Sequence, residues 1–409
     1  MISFVCQKNF ALRLKEEISR FYKSALLRGL CIALVSWASP DAYMDEEFHI
    51  GQTWKFVTGN FSEWDPSLTT FPGIFIFSAA LVKIFSLPFK PWILRMLNGV
   101  FFGALADRAC ADLEISSLEV AVLPTHFFYH LLFYTDPAAT ALVLSSLGAQ
   151  RKGNLEISGI FGIFAVAVRQ TNIVWVFIIA AGALWDNRRN FQVLWRLRYH
   201  ILTGMCFASF FVWNDFSVVL GHKGHHSFSA HFAQINYFLC TWFVLDGPKF
   251  WLQTLRNFQV DKRIWRWLTC FSVTAACAFF GTVVHPFLLA DNRHFSFFVW
   301  RKFLSFPIFR NFFVPAVAST AAVYGGFAGA RGFSRDLEIS KILFWFAVLA
   351  VLVPSPLLEF RYFNIPLILL SARPGNFFWN FSLSLTLVAV FCIFPFYSAQ
   401  SGKLERFIL

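Results

Sequence analysis

Long apolar segments separated by short polar islands recur along the whole chain, and they limit its possible folds more than any other feature. The segment from Leu26 to Trp37 has Arg28 as its only charge, and the segment from Phe71 to Val82 has none. A helix needs about 20 apolar residues to cross a bilayer. Because lipid offers no hydrogen bonds to the backbone, a spanning segment must satisfy its own amides. The pattern predicts an all-α, polytopic membrane helical bundle.

The composition excludes a soluble globular domain. Of the 409 residues, 57% are hydrophobic and only 14% are charged, with a mean hydropathy of +0.57, whereas soluble domains average about 25% charged residues. The apolar segments predict about 11–13 transmembrane helices, the first over residues 24–40. We expect a cytoplasmic N-terminal segment, residues 1–23, followed by a single integral membrane domain over residues 24–400, with a luminal loop at residues 41–70.

The placement of positive charge predicts the orientation in the membrane. Lys and Arg concentrate in short cytoplasmic loops of membrane proteins, so the net charge of +12 does not indicate a nucleic-acid partner. Basic residues ahead of the first apolar segment predict a cytoplasmic N-terminus and place the next polar stretch on the luminal side. These residues are Lys8, Arg13, Lys15, Arg20, Lys23 and Arg28.

Polar islands between the apolar segments are the candidate functional sites. Ionisable residues at membrane depth are costly, so a cluster of them points to a substrate or ion site. The first island, residues 41–70, contains Asp45, Glu46, Glu47 and Asp65. Later islands are Tyr134–Pro137, Arg169–Asn172, Gly221–Gln234, His285–His294 and Leu358–Tyr362.

Five separated motifs in these islands occur in a fixed order. They are Tyr43-Met44-Asp45-Glu46 continuing to His49, Gln52 and Trp64-Asp65-Pro66; Arg169-Gln170-Thr171-Asn172; His226, His231 and Gln234; Ala290-Asp291-Asn292-Arg293-His294; and Glu359 with Arg361-Tyr362. In this order they resemble the dolichyl-phosphate-glucose-dependent α-1,2-glucosyltransferases over about residues 26–370. Gly51, Phe71 and Phe295 depart from the family pattern at positions that affect the detailed loop shape.

The resemblance implies a GT-C-type fold in the endoplasmic reticulum membrane with a luminal active site. It implies an inverting enzyme that transfers the third, terminal glucose from dolichyl phosphate glucose to the diglucosylated lipid-linked oligosaccharide used for protein N-glycosylation. The donor, the acceptor and the bilayer are the implied partners. Because the chain has no D-x-D motif or glycine-rich phosphate loop, we expect no cofactor and no metal.

Glycosyl transfer to a hydroxyl group requires a base, for which Asp45 is our first candidate and Glu46 the second. The departing phosphate requires fixed positive donors, and the candidates are Arg293, His294, His285 and Arg361. The remaining residues of the motifs are candidates for substrate binding: His49, Gln52, Trp64, Asp65, Arg169, Gln170, Asn172, His226, His231, Gln234, Asp291, Asn292 and Tyr362. Asp65 could instead form a turn before Pro66, and Arg169 could pair with Asp136.

Other interpretations remain open at this point. A mannosyltransferase or another glucosyltransferase that uses a lipid-phosphate sugar would also carry an acidic luminal loop, although the Arg169 and Asp291 motifs disfavour it. A secondary transporter would also contain polar clusters in its helices, but we find no related halves with paired interrupted helices. A zinc site among His222, His225, His226 and His231 lacks a nearby Cys or Glu to complete it.

Overall fold

Helices form nearly all of the regular structure in the computed structural model, which describes residues 2–221, 228–260, 264–325, 332–371, 376–398 and 403–409. The all-α prediction is confirmed, with one small antiparallel hairpin of β1 (Phe396–Ser398) and β2 (Lys403–Glu405). The α-helices are α1 Ile2–Ala38, α2 Glu46–Val57, α3 Gly73–Ile84, α4 Pro91–Met96, α5 Gly103–Asp112, α6 Ser117–Ala121, α7 Pro124–Tyr129, α8 Thr135–Arg151, α9 Leu155–Val168, α10 Ile173–Asp186, α11 Gln192–Arg196, α12 Arg198–Trp213, α13 Ala233–Leu245, α14 Gly247–Val260, α15 Ile264–Phe280, α16 Pro286–Ala290, α17 Phe295–Val299, α18 Val314–Tyr324, α19 Leu337–Leu352, α20 Asn364–Ser371 and α21 Phe377–Ile393. Short 3₁₀ turns span Gln170–Asn172 and Phe360–Phe363, and π-helical turns span Leu97–Phe102, Trp300–Leu304 and Phe309–Phe313.

The helices are shorter and more interrupted than the apolar segments suggested. Within the described residues, one helical stretch, Phe21–Ala38, is long and apolar enough to cross a membrane by itself. A second candidate is the pair Phe295–Leu304 and Phe309–Tyr324, which is bent by 98°. Other apolar helices have 10–17 residues. The number of 11–13 spans therefore stays a prediction.

The first helix differs from the prediction at its start and in the role of one charge. It begins at Ile2, whereas the expected start was residue 24, and the additional helical residues extend it by about 30 Å. Arg28, which we grouped with the orienting charges, is fully buried and pairs with Asp107 through two hydrogen bonds of 2.8 and 2.9 Å. A Cβ added at Gly103 would lie 2.7 Å from that guanidinium, so a glycine is needed where α5 meets α1. Arg28 thus joins two helices.

Helix α8 lies at the centre of the molecule and is buried over residues 135–150. Small residues such as Ala138, Ala141 and Ser146 let neighbouring backbones approach closely, as is usual between membrane helices. Proline and an acid in its first turn favour the helix start, and Gly153 follows its end with a φ of 79°. Its 17 residues correspond to a length of about 25 Å.

Three helices run between the same two ends of the molecule. The first turn of α8 and the start of α10 meet through the Asp136–Arg169 ion pair, and the segment after α19 joins them there through Arg361. At their other ends, Gln150 of α8 donates to the carbonyl of Phe333, and Asp186 of α10 accepts from the segment ahead of α19. We call these the site end and the far end.

Candidate functional site

Arg361 is the centre of a charged cluster at the site end. Its Nη1 donates to Asp45 Oδ2 at 3.0 Å and lies 4.0 Å from Asp136 Oδ2, and its Nε donates to Glu359. The guanidinium carbon is 5.6 Å from the ring centre of Tyr134. The carboxylates come from the start of α2, the first turn of α8 and the segment after α19, so three distant parts of the chain converge. We predicted Arg361 as a phosphate ligand, and here it binds carboxylates.

A second ion pair continues the cluster. Arg169 pairs with Asp136, and its guanidinium carbon lies 5.7 Å from the ring centre of Tyr362. Of the two roles considered for Arg169, the structure shows the pairing. Asp136 was named in the sequence only as that partner. Because its side chain is 3% exposed and lies between two arginines, it belongs to the cluster itself.

Asp45 is the acid of the cluster that remains open to the outside, with 38% of its side-chain surface exposed. It occupies the N-cap position of α2, where an aspartate usually accepts a backbone N–H, yet its side chain makes no capping bond. Burial raises the pKa of this carboxyl, but the charge and the hydrogen bond of Arg361 outweigh burial, so the pKa lies below its ordinary value. Asp45 is therefore ionised and accessible.

Glu46 has the opposite environment, although it is the next residue. Its carboxylate is fully buried and accepts from Arg95 Nε at 2.9 Å and Nη2 at 2.6 Å, from the Phe133 amide at 2.6 Å and from the Tyr43 amide at 3.0 Å. Arg95 also donates to the carbonyl of Asp41. The pair fixes the chain on both sides of Asp45. Nothing in the sequence pattern around Arg95 indicated this role.

The stretch of residues 41–70, expected as one loop, is partly helical because the 12 residues of α2 occupy Glu46–Val57. Gln52 ties the non-helical part of the stretch to α2. Its Nε2 donates to the Glu63 carbonyl at 2.9 Å, and its Oε1 accepts from the Asp65 amide at 3.0 Å. Asp65 Oδ1 accepts from the Ser67 amide at 2.9 Å, which is the turn considered as its alternative role. These side chains hold the shape of the stretch.

Two aromatic side chains of the stretch also bond to the backbone. Trp64 Nε1 donates to the Leu68 carbonyl at 3.2 Å, and the Nδ1 of His49 lies 2.9 Å from the carbonyl oxygen of Phe133. Burial lowers the pKa of His49, although Asp45 acts in the opposite direction. A neutral imidazole therefore packs beside the ionised Asp45.

The Asp291 motif lies next to the cluster. Arg293 donates to both oxygens of Asp291, at 2.9 and 2.8 Å, and the Nε2 of His294 is 3.8 Å from the same carboxylate. Burial raises the pKa of Glu359, but Arg361 and His294 together hold it below its ordinary value, as His294 also does at Asp45. The structure thus brings His294 into the field of the cluster.

The segment near the end of the chain closes this side of the site, which the sequence did not predict. The Phe295 amide donates to the Ile408 carbonyl at 2.7 Å, and the Ile408 amide donates to the Arg293 carbonyl at 2.8 Å. Arg406 donates to the Ala38 carbonyl at 2.6 Å. Residues 403–409 therefore tie the Asp291 motif to the end of α1.

Several predicted substrate ligands bond to the backbone around the cluster. Gln234 Nε2 donates to the Leu357 carbonyl at 2.6 Å, and His231 Nδ1 lies 3.3 Å from the Ser355 carbonyl oxygen, so both hold the segment that leads to Glu359. Gln170 bonds to Thr69 and Asn172 to Ala165, while Asn292 is exposed. His285, which we predicted as a phosphate ligand, accepts from the Phe287 amide at 3.2 Å. His226 lies outside the described residues.

The cluster combines an accessible base with cations. An ionised carboxylate can take a proton from a hydroxyl group, and guanidinium or imidazole groups beside it stabilise a departing anion. Asp45 can supply the first function, and Arg361 with His294 can supply the second. This arrangement suits displacement of a phosphate by a hydroxyl group.

Comparisons with known proteins match this chain to one family. The model of the DIE2/ALG10 family matches residues 39–192 and 183–372. Three curated relatives carry the name Dol-P-Glc:Glc(2)Man(9)GlcNAc(2)-PP-Dol alpha-1,2-glucosyltransferase. They are a protein of Arabidopsis thaliana, 27% identical with 92% of this chain and 96% of the relative covered; one of Homo sapiens, 27% identical with 84% and 86% covered; and one of Drosophila melanogaster, 29% identical with 80% and 83% covered. No solved structure matches the chain.

Proposed function

This chain belongs to the DIE2/ALG10 family, and we propose that it transfers glucose from dolichyl phosphate glucose to a diglucosylated lipid-linked oligosaccharide through an α-1,2 bond. The names of the relatives give this donor, this acceptor and this linkage. They favour a glucosyltransferase over the mannosyltransferase and transporter interpretations. The enzyme is a glycosyltransferase of the endoplasmic reticulum membrane.

The observation that carries the proposed mechanism is the contrast between the two neighbouring acids. Asp45 is partly exposed and faces Arg361, whereas Glu46 is buried and bonded to Arg95. Asp45 takes the proton of the acceptor hydroxyl group as its oxygen attacks the anomeric carbon of glucose. The bond from that carbon to the phosphate oxygen breaks, and the electron pair leaves with the lipid phosphate. One displacement on a β-linked donor gives an α-linked product.

The donor phosphate would meet the cations that surround Asp45. Arg361 is 17% exposed and His294 is 26% exposed, so each can contact an anion that enters beside the carboxylate. A phosphate that binds Arg361 competes with Asp45 for the same N–H groups and frees the base. We assign donor binding to Arg361, His294 and Arg293, and we assign Glu46 and Gln52 to holding the loop.

The position of the site relative to α1 supports a luminal active site. The basic N-terminal residues precede the apolar part of α1, and the site lies beyond the other end of this helix, where Arg95 donates to the Ser39 and Asp41 carbonyls. A cytoplasmic N-terminus therefore places the cluster on the luminal side. The arginines of the loop at residues 188–198 belong to the far end and are consistent with this orientation.

The test of this proposal is transfer by membranes that contain Asp45→Asn protein. The membranes receive labelled dolichyl phosphate glucose and the diglucosylated acceptor. We expect a loss of about 10²–10⁴-fold in rate at normal protein abundance, because the amide cannot accept the proton. Glu47→Gln is the matched control, since Glu47 is the exposed neighbour and its removal should leave the rate unchanged. Full transfer by the Asp45→Asn protein would refute the assignment.

A further inference from the structure

A polar cavity of about 360 Å³ lies at the far end of the molecule, away from the charged cluster. Its lining includes Arg151, Arg196, Arg335 and Asp186. The volume falls in the range of about 300–1,000 Å³ that is usual for small-molecule pockets. Because α8 separates this cavity from the cluster by about 25 Å, the proposed glycosyl transfer does not use it.

The walls of the cavity are anchored in the core. Phe333 is fully buried, stacks on Trp175 and accepts at its carbonyl from Gln150 Nε2 at 3.1 Å. A Cβ at Gly182 would lie 1.8 Å from that same carbonyl oxygen, so α10 and the segment ahead of α19 meet at a glycine. The cavity is therefore part of the packed structure.

The lining carries a net positive charge, and its guanidinium groups have N–H donors that can bind an anion. Asp186 accepts from the Ser334 hydroxyl group at 2.5 Å and from the Arg335 amide at 3.1 Å, so its carboxylate is already hydrogen-bonded within the wall. Arg151 Nη1 donates to the Leu113 carbonyl at 2.9 Å, and Arg196 Nη2 donates to the Gly153 carbonyl. A guanidinium has five N–H donors, and its planar fork matches the oxygens of a phosphate group.

The short helix α11, which contributes Arg196 to the lining, carries side chains typical of a membrane boundary. Phe191 is 86% exposed and Trp195 is 72% exposed, next to and within the short helix α11 that carries Arg196. Tryptophan and arginine together are typical of the headgroup level of a bilayer. A lining residue of the cavity, Arg196, thus lies beside side chains that suit headgroup depth.

We propose that this cavity binds the phosphate headgroup of an anionic phospholipid from the leaflet at the far end. The arginines pair with the phosphate, while the exposed aromatic side chains Phe191 and Trp195 hold α11 at headgroup depth. A choline headgroup would bring a second cation against the arginines, so zwitterionic lipids are excluded in favour of anionic ones. The inference does not depend on the proposed function of the charged cluster.

The test measures which lipids stay bound to the whole purified protein. The protein is reconstituted in phosphatidylcholine vesicles with or without phosphatidylinositol and then extracted mildly, and the retained lipid is identified by mass spectrometry. We expect wild-type protein to retain phosphatidylinositol, and Arg335→Gln with Arg196→Gln to bind it about tenfold more weakly. Arg335→Gln alone should also weaken binding, because it removes one of the guanidinium groups. It should leave the wall of the cavity intact, because the bond to Asp186 is made by the backbone amide of residue 335.

Arg188→Gln is the matched control, because Arg188 follows the lining residue Asn187 but does not itself line the cavity, and its guanidinium carbon lies 4.8 Å from the ring centre of Trp185. Unchanged thermal unfolding of the variants shows that they are folded. Equal loss in the control, or equal retention in all proteins, would overturn the proposal. A further arm adds soluble inorganic phosphate and glycerophosphoinositol as competitors. Phosphate binding without lipid retention would show a soluble anion as the ligand and would also overturn it.

Discussion

Glu46→Gln is the most informative single substitution, because it separates a structural acid from a catalytic one. The side chains of Glu46 and Arg95 are both 0% exposed, and Arg95 Nη2 lies 2.6 Å from Glu46 Oε2. Glutamine keeps the size of the side chain, and one oxygen can still accept from the Phe133 amide. Its amide nitrogen, however, cannot accept from Arg95, so the guanidinium keeps its charge in a buried site without a counter-ion.

The expected loss is large on the scale of protein stability. Removing one partner of a buried ion pair costs about 3–5 kcal/mol, which changes the folded-to-unfolded ratio roughly a hundredfold to several thousandfold. The whole stability of a domain is about 5–15 kcal/mol. The Glu46→Gln protein should therefore unfold at a clearly lower temperature, and should be less abundant at the growth temperature.

The assay combines thermal unfolding in detergent with transfer rates per folded molecule at low temperature. We expect the Glu46→Gln protein to unfold at a lower temperature, with substantial transfer by the folded fraction. The double variant Glu46→Gln/Arg95→Gln should recover part of the stability, because it buries no unpaired charge. Glu47→Gln, at the exposed neighbour, should behave as wild type. Wild-type unfolding of the Glu46→Gln protein together with abolished transfer would refute this reasoning and would make Glu46 a catalytic acid.

Two further predictions concern charge and close packing. Arg361→Met removes the main cation that lowers the pKa of Asp45, so the pKa of this carboxyl in the folded protein should rise. The acidic limb of the transfer rate plotted against pH should therefore move to higher pH, and an unchanged limb would contradict this. Gly103→Ala places a methyl group 2.7 Å from the Arg28 guanidinium and should cost about 1–3 kcal/mol in thermal unfolding experiments. Gly51→Ala, with nothing within 4 Å of the new Cβ, should not destabilise α2, and equal losses at both glycines would contradict the packing argument.

Much of the site was visible in the sequence, because charges within apolar segments are rare and costly. Asp45, Arg361 and His294 were all predicted, and the structure brings them together at one end of the molecule. The Arg169–Asp136 pair was one of two alternatives. What could not be predicted was the support: the position of Arg95 and the docking of residues 403–409 depend on packing between distant segments, which leaves no local pattern.

The sequence by itself determined the class of the protein, since uncharged segments in lipid must form helices that satisfy their own backbone. It did not determine where those helices begin or how they bend, as α1 and the pair around Phe309 show. Tertiary structure also decided between two adjacent acids. Successive side chains at a helix start point about 100° apart, so Asp45 faces Arg361 and the open side of the site, while Glu46 faces Arg95 and the core.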